Sequence, residues 1–148
     1  MLDFAGKVVL ISGSSRGIGR SIAMLFAERG ARIVVHYASN RAAAEDTLAS
    51  LAGVGHIMVQ GDLADPAAVA ALVDDAIEQA GRIDILVNNA AIYEDHPLAE
   101  VDYDHWQASW RKTIDTNVIG SANMCYCVAR HMIARGEGGR IVNVSSRG

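Results

Sequence analysis

Short apolar runs alternate along the chain with longer amphipathic stretches. The runs are continuous in Val, Ile and Leu, which is typical of parallel strands that helices cover on both faces. The predicted strands are residues 7–11, 32–36, 56–60, 83–87 and 140–144. The predicted helices are residues 18–29, 41–51, 66–80 and 104–135. This alternation predicts a doubly wound α/β fold with a parallel sheet.

The ends of these elements carry local signals. Asp65 and Pro66 are typical of an N-cap and a first helical residue, and Gly81 predicts the end of the same helix. Only residues 145–148 follow the fifth predicted strand, so no helix covers its far side. We therefore expect an incomplete sheet, with either a longer natural protein or an apolar face left bare.

Composition narrows the function classes. Hydrophobic residues make up 51% and charged residues 20% of the 148, which is enough apolar material for a core. The net charge is −4 without a Lys/Arg tract, so no nucleic-acid partner is predicted. The start lacks a signal-peptide pattern, and the early apolar run 8–11 is too short to cross a membrane. A cytoplasmic protein without membrane contact is predicted.

Metal chemistry is not indicated either. The five histidines lack the spacing of a zinc site, and no metal is predicted. Cys125 and Cys127 lie two apart in a predicted helix, where their side chains point to different sides. Thiols packed in a core or an interface are the better interpretation of this pair.

A glycine-rich turn joins the first strand to the first helix. Gly13, Gly17 and Gly19 lie between them, where free N–H groups and the positive end of the helix dipole favour a pyrophosphate. The alternative is an ordinary strand–helix turn. The spacing is G-x-x-x-G-x-G, and with Ser12 before it the turn resembles the T-G-x-x-x-G-I-G fingerprint of the classical short-chain dehydrogenases/reductases.

Four further motifs appear in that family's order. Asp62-Leu63 is similar to its adenine-side pair, and residues 88–91 (NNAA) to its N-N-A-G. Residues 115–120 (DTNVIG) resemble D-x-N-x-x-G, and residues 138–146 (GGRIVNVSS) resemble G-G-x-I-V-N-x-S-S. The resemblance covers the whole chain and implies one dinucleotide-binding Rossmann domain over residues 1–148, incomplete at its C-terminal side.

The resemblance also implies roles for single residues. Ser146 corresponds to the catalytic serine, with Ser145 as the alternative, and Asn117 to an asparagine that holds a water in a proton relay at a helix irregularity. The implied cofactor contacts are Gly13, Ser15, Arg16, Gly17, Ile18, Gly19, Tyr37, Ser39, Asn40, Arg41, Asp62, Leu63, Asn89, Ala90 and Ala91. The alternative for Asp62 and Asn117 is that they are ordinary surface residues without a functional role.

The tip of the second strand favours NADP over NAD. No carboxylate stands in residues 36–41, where NAD-specific folds usually bind the ribose 2′-hydroxyl. Arg16 and Arg41 could pair with a 2′-phosphate, and Ser39 and Asn40 could donate further hydrogen bonds. Alternatively, both arginines are solvated surface residues, and NAD remains open.

The family's proton donor, the tyrosine of Y-x-x-x-K, would lie beyond Ser146. Tyr126 with Arg130 mimics the spacing, but in the preceding helix. The resemblance implies an oxidoreductase for a small carbonyl or secondary-alcohol substrate. The 148 residues alone, which lack the Y-x-x-x-K motif, are expected to be inactive. A non-catalytic nucleotide-binding or regulatory module is the alternative. Family members are homodimers or homotetramers, so Cys125, Tyr126 and Met132 serve either that contact or the core.

Overall fold

The computed structural model describes residues 2–146 and contains the predicted alternation of strands and helices. The five strands are β1 Val8–Ile11, β2 Arg32–Tyr37, β3 Ile57–Gln60, β4 Ile85–Asn88 and β5 Arg140–Asn143. The helices are α1 Gly17–Ala27, α2 Arg41–Ser50, α3 Pro66–Ala80, α4 Tyr103–Ile114 and α5 Ser121–Arg135, with a π-helical segment Asp115–Gly120 between the last two.

All the strands pair in parallel, in the order β3-β2-β1-β4-β5. The chain therefore starts in the middle of the sheet, builds outward through β2 and β3, and returns to the other side of β1 with β4. This confirms the predicted doubly wound parallel sheet. The reversal leaves a crevice at the carboxyl ends of β1 and β4, where ligands of such sheets bind.

Each face of the sheet has its own apolar core, because successive strand residues point to opposite faces. Val8 and Leu10 pack with apolar residues of α3 and α5. Val9 and Ile11 pack on the other face with apolar residues of α1 and α2. Burial on both faces explains why the strands have continuous apolar sequences.

Several predicted boundaries were wrong by one or two residues. β4 begins at Ile85 rather than at residue 83, because the Ile83 N–H donates to Nε2 of His131 instead of to a strand. β2 continues to Tyr37, which pairs with Gln60 of β3. β1 begins at Val8, since the Lys7 N–H bonds back to the Phe4 carbonyl in a turn.

The predicted long helix over residues 104–135 is three elements. The π-helical segment interrupts it at Asp115–Gly120, which contains Asn117. A π-helical turn inside a helix is rare and is frequently found at functional sites. The irregularity implied by the D-x-N-x-x-G motif is therefore present in the structure.

The predicted caps are correct for α3. The Asp65 side chain accepts a hydrogen bond from the Ala67 N–H, Pro66 is the first helical residue, and Gly81 ends the helix in the left-handed conformation. No helix among residues 2–146 is long and apolar enough to cross a membrane. The cytoplasmic location stays a prediction.

β5 lies at the edge of the sheet, and all its residues are exposed. The apolar side chains that it leaves open to solvent include Ile141 and Val142, followed by Val144 just after the strand. Within residues 2–146 the sheet is therefore incomplete at this edge, as the sequence predicts.

A buried carboxylate fastens the amino end of the sheet. Asp84 is 5% exposed, and its Oδ2 accepts from the Val8 N–H at 2.9 Å. Arg82 donates to it through Nε at 2.9 Å, and Arg135 donates to its Oδ1 through Nη2 at 2.9 Å. Burial raises the pKa of Asp84, but the hydrogen bonds of Arg82 and Val8 and the charges of both arginines outweigh it. The pKa of Asp84 is lowered overall.

We predict that Asp84→Asn lowers the free energy of unfolding by about 2 kcal/mol at neutral pH, because Arg82 and Arg135 lose their charged hydrogen bonds to this carboxylate and keep, among residues 2–146, only Glu137 as a counter-charge. A lowered native pKa stabilises the fold fully above the unfolded pKa of about 3.9, and this contribution is lost as the pH falls through the native pKa. The difference between wild type and variant in urea unfolding should therefore shrink below about pH 4. Asp46→Asn, at an exposed position on α2, is the control and should change little. Equal stability of Asp84→Asn and wild type at pH 7 would contradict this account.

Candidate functional site

The turn between β1 and α1 combines special backbone geometry with close packing. Gly17 has a φ of 56°, a conformation that side chains with a Cβ rarely adopt. A Cβ on Gly19 would lie 2.3 Å from the Gly13 carbonyl oxygen and 2.6 Å from Nδ2 of Asn89. The turn therefore requires glycine at both positions, as the fingerprint predicts.

Ser12 joins this turn to the loop after β4. The buried Ser12 Oγ accepts hydrogen bonds from the backbone N–H groups of Asn89 and Ala90, both at 3.0 Å. The Asn89 side chain donates in return to the carbonyls of Ser12 at 3.1 Å and Gly13 at 3.2 Å. Asn89 and Ala90 thus lie against the glycine turn, where the sequence predicts a cofactor contact.

His36, at the end of β2, holds the opposite side of the turn and was not among the predicted site residues. Its Nδ1 accepts from the Gly13 N–H at 3.0 Å, and its Nε2 lies 2.9 Å from the Gly61 carbonyl. Two further hydrogen bonds link His36 to Ser14. The Ser14 N–H donates to the His36 carbonyl, and the His36 N–H donates to the Oγ of the Ser14 side chain. The turn is thereby bonded to β2 as well as to β4.

The ring of His36 is neutral in this arrangement. An Nδ1 that accepts from Gly13 carries no proton, so Nε2 is the donor to Gly61. The side chain is only 2% exposed, and burial lowers the pKa of His36 against smaller opposing effects of the Gly61 hydrogen bond and the Asp62 charge. A histidine within an apolar strand was the only sequence signal for this contact.

Thr47 makes a third attachment. Its fully buried hydroxyl, on α2, donates to the Ser15 carbonyl at 2.9 Å. Sequence reasoning missed this residue because nothing local separates it from other helix threonines. Ser15 is therefore part of the anchored turn, consistent with its predicted place beside the cofactor.

The start of α1 differs from the starts of the other helices that follow loops. Side chains cap α2, α3 and α4, namely those of Asn40, Asp65 and Asp102. For α1, none of the side chains in residues 2–146 makes a cap hydrogen bond, and its N-cap residue is the exposed Arg16. The first N–H groups of a helix need an acceptor, and an anion supplies one together with a favourable dipole interaction. Ile18, also exposed, lies in this first turn.

The segment after β2 is exposed. Two of its residues that the sequence predicts to bind the cofactor already have partners within the protein. The Asn40 Oδ1 accepts from the Ala43 N–H at 3.0 Å, which leaves the amide nitrogen as its donor. Arg41 forms an ion pair with Glu45, with Nε and Oε1 2.8 Å apart. Ser39 is exposed beside them.

Tyr37 is the last residue of β2, and its predicted contact with the cofactor stays a prediction. The side chain is 4% exposed and belongs to the core between the sheet and α1–α2. Its backbone carbonyl accepts from the Gly61 N–H, an extension of the β2–β3 pairing. The tyrosine is therefore a core residue at this strand end.

The adenine-side pair after β3 has two different environments. Asp62 is exposed, and its Oδ1 accepts from the Ala64 N–H at 2.9 Å, while Leu63 is buried in the core shared with α3 and α5. A Cβ on Gly120, in the π-helical segment, would lie 2.5 Å from the Leu63 carbonyl oxygen. This close approach explains the glycine that ends the D-x-N-x-x-G motif.

A hydrogen bond between two asparagine side chains joins the ends of β4 and β5. Nδ2 of Asn88 donates to Oδ1 of Asn143 at 2.9 Å and to the Sγ of Cys125 at 3.1 Å. This supports the predicted structural role of Asn88. Cys125 is half-buried against the core, which agrees with a packed thiol.

Asn117 binds the chain after β4 with both ends of its amide. Its Oδ1 accepts from the Ile92 N–H and its Nδ2 donates to the Ile92 carbonyl, each at 2.8 Å. It therefore fixes the segment that follows Ala91 over the sheet edge. The predicted water-holding role stays a prediction.

Ser146 follows β5 at the same edge of the sheet and is exposed, as is Ser145. The residues predicted from the motifs thus gather at the carboxyl ends of β1, β2, β3, β4 and β5. The loop above them is tethered to α4 by an ion pair between Glu94 and Lys112. Within residues 2–146 no group of His, Cys, Asp or Glu could hold a metal ion.

Comparison with known proteins agrees with this arrangement. Residues 7–148 match the short chain dehydrogenase family. The chain belongs to this family. It is 38% identical over 148 residues to an uncharacterized oxidoreductase of Methylorubrum extorquens, covering 99% of this chain and 57% of that protein. It is 37% identical over 142 residues to a 3-oxoacyl-acyl-carrier-protein reductase of Staphylococcus aureus, covering 95% and 56% of the two proteins.

A solved structure has the same fold. It is a short chain dehydrogenase from Burkholderia cenocepacia in complex with NADP, with a TM-score of 0.85 and 37% identity. The match covers 98% of this chain and 57% of that one. The chain thus spans somewhat more than half the length of these short-chain dehydrogenases.

We predict that Ser12→Ala lowers the free energy of unfolding by about 2 kcal/mol, because it leaves two N–H groups without their acceptor. Urea unfolding measures the effect. Ser12→Thr is the matched control, since it keeps the hydroxyl, and should stay close to wild type. If alanine and threonine behaved alike, the hydroxyl would not hold the turn.

Proposed function

We propose that this short-chain dehydrogenase chain binds a nicotinamide dinucleotide, with NADP favoured over NAD, across the crevice between β1 and β4. The observation that carries the proposal is the start of α1, which lacks a side-chain cap in the described residues and follows a turn fixed from β2, β4 and α2. Such a rigid set of N–H groups suits a pyrophosphate, since the donors need no reorganisation when it binds. The NADP complex of the Burkholderia relative supports this placement.

The preference for NADP rests on the charges around the tip of β2. Arg41 is exposed just after this tip, Arg16 is exposed at the start of α1, and no carboxylate occupies residues 36–41. A 2′-phosphate would meet both guanidinium groups, with the Ser39 hydroxyl and the Asn40 amide nitrogen as further donors. Glu45 competes for Arg41 in the free protein.

The proposed reaction is hydride transfer between the nicotinamide and a carbonyl or secondary-alcohol substrate. The bound cofactor supplies or accepts the hydride. The Ser146 hydroxyl would donate a hydrogen bond to the substrate oxygen, where negative charge develops during reduction. Asn117 holds the loop after β4 at this end of the crevice through Ile92. Asp62 would accept from the adenine amine at the other end.

A proton donor is also needed, and residues 1–148 contain no tyrosine followed four positions later by lysine. Tyr126, which has Arg130 at that spacing, is 67% exposed on α5. We therefore propose that these 148 residues alone bind the cofactor without turnover, and that the protein made from the complete gene is the active oxidoreductase.

Association into homodimers or homotetramers is part of the proposal. Exposed apolar side chains on the α4–α5 side, among them Trp110, Val118, Tyr126 and Ile133, would be covered in such an assembly. Cys125, Tyr126 and Met132 were predicted to serve either this contact or the core. Met132 is buried in the core, and Cys125 packs against that core.

Cofactor selectivity tests the charge argument. Arg16→Ala and Arg41→Ala should each weaken NADPH binding roughly tenfold and leave NADH binding nearly unchanged, because only NADPH carries the 2′-phosphate. Fluorescence titration gives both dissociation constants.

Two controls accompany these arginine variants. Arg20→Ala on α1 should leave both constants unchanged, and Glu45→Gln should tighten NADPH binding because it frees Arg41. Equal losses for NADH and NADPH would show that the arginines do not discriminate between the cofactors.

Turnover tests the missing proton donor. The 148 residues should bind NADPH but oxidise none of it with a panel of ketones, aldehydes and sugars, while the protein from the complete gene should do both. Ser146→Ala in that longer protein should reduce kcat by about a hundredfold or more with little change in NADPH binding. Oxidoreductase activity of the 148 residues alone would contradict this proposal.

A further inference from the structure

The side chain of His36 contacts two chain segments at once. The ring accepts from the Gly13 N–H through Nδ1 and donates to the Gly61 carbonyl through Nε2. Gly13 opens the glycine turn, and Gly61 follows β3. Only the neutral ring with its proton on Nε2 makes both hydrogen bonds, because a protonated Nδ1 would point an N–H at another N–H.

The surroundings of the ring oppose protonation. Burial lowers the pKa of His36, and this effect exceeds the opposing effects of the Gly61 carbonyl and of Asp62, which follows β3. Glu94, and to a smaller extent Asp62, raise the pKa of Lys112 on α4, so this lysine is a cation near Asp62. Arg16 in the turn is exposed, and Tyr37, next on the same strand, is buried in the core. An imidazolium at this position could be accommodated only if the turn moved.

Resting on the proposed dinucleotide site, we infer that His36 is a positioning residue for the glycine turn, and that it holds the turn in its binding geometry only while its ring is neutral. Protonation removes the acceptor for the Gly13 N–H and displaces the turn that presents the first N–H groups of α1. Affinity for the dinucleotide therefore falls with acidification, for NADH as well as NADPH.

Two variants separate the hydrogen bond from its titration. In His36→Asn, the side-chain carbonyl can take the place of Nδ1 and accept from Gly13, but it cannot be protonated in this range. In His36→Leu, no acceptor remains beside Gly13. The test measures dissociation constants for NADH and NADPH by fluorescence from about pH 4.5 to 8, with the protein from the complete gene. Circular dichroism at each pH confirms that the variants are folded.

The expected result has three parts. Wild type keeps a constant affinity at and above about pH 6.5, because burial lowers the pKa of His36 below its ordinary value. It loses affinity for both cofactors only at more acidic pH, by up to about tenfold per pH unit. NADH is the decisive probe because it lacks the 2′-phosphate, whose own titration near pH 6 weakens NADPH binding independently. His36→Asn binds NADH with nearly constant affinity over the range, and His36→Leu binds about tenfold more weakly at every pH.

Two results would overturn the inference. One is the same NADH profile for wild type and His36→Asn. The other is tighter wild-type binding at low pH, which would mean that attraction between the imidazolium and the phosphates outweighs loss of the Gly13 bond. Failure of wild type to bind either cofactor at pH 8 would instead overturn the proposed function itself, and the inference with it.

Discussion

The hydrogen bonds that hold the turn after β1 are the constraint from which the rest of the site follows. Ser12, Ser14 and His36 use buried side chains to bond this turn to the segments after β4 and β3 and to β2. With these groups satisfied inside the protein, the first N–H groups of α1 are the donors left for a ligand. The backbone of this turn also requires glycine at positions 17 and 19.

The position of the turn depends on the order of the strands. β1 lies in the middle of the sheet. The chain continues from β1 to one side of the sheet through β2 and later to the other side through β4, so the loops at the carboxyl ends of β1 and β4 separate and leave a crevice. The segments at residues 12–19, 62–63, 88–91 and 143–146 each lie at or just after the carboxyl end of a strand, so all of them reach the same edge of the sheet. The topology thereby converts motifs that are far apart in sequence into one site.

Most of the strands and helices were predictable from the sequence, because the residues that determine them are close together in the chain. Continuous apolar runs predict strands buried on both faces, and Asp65, Pro66 and Gly81 predict the ends of α3 through backbone chemistry. The contacts of His36, Thr47 and Asp84 were not predictable, because each depends on a partner far away in the chain. The sequence analysis also missed that two predicted cofactor ligands bind protein groups in the free chain. Asn40 caps α2, and Arg41 pairs with Glu45.

The most direct test of the central claim is an NMR titration of the labelled protein with NADPH, observing the backbone amides. Our account predicts saturable shifts of the Gly17, Ile18 and Gly19 amides, with smaller ones at residues 89–91, and none at the side-chain-capped start of α3. Saturable binding that left the Gly17–Gly19 amides unmoved would contradict it, because the dinucleotide would then lie elsewhere.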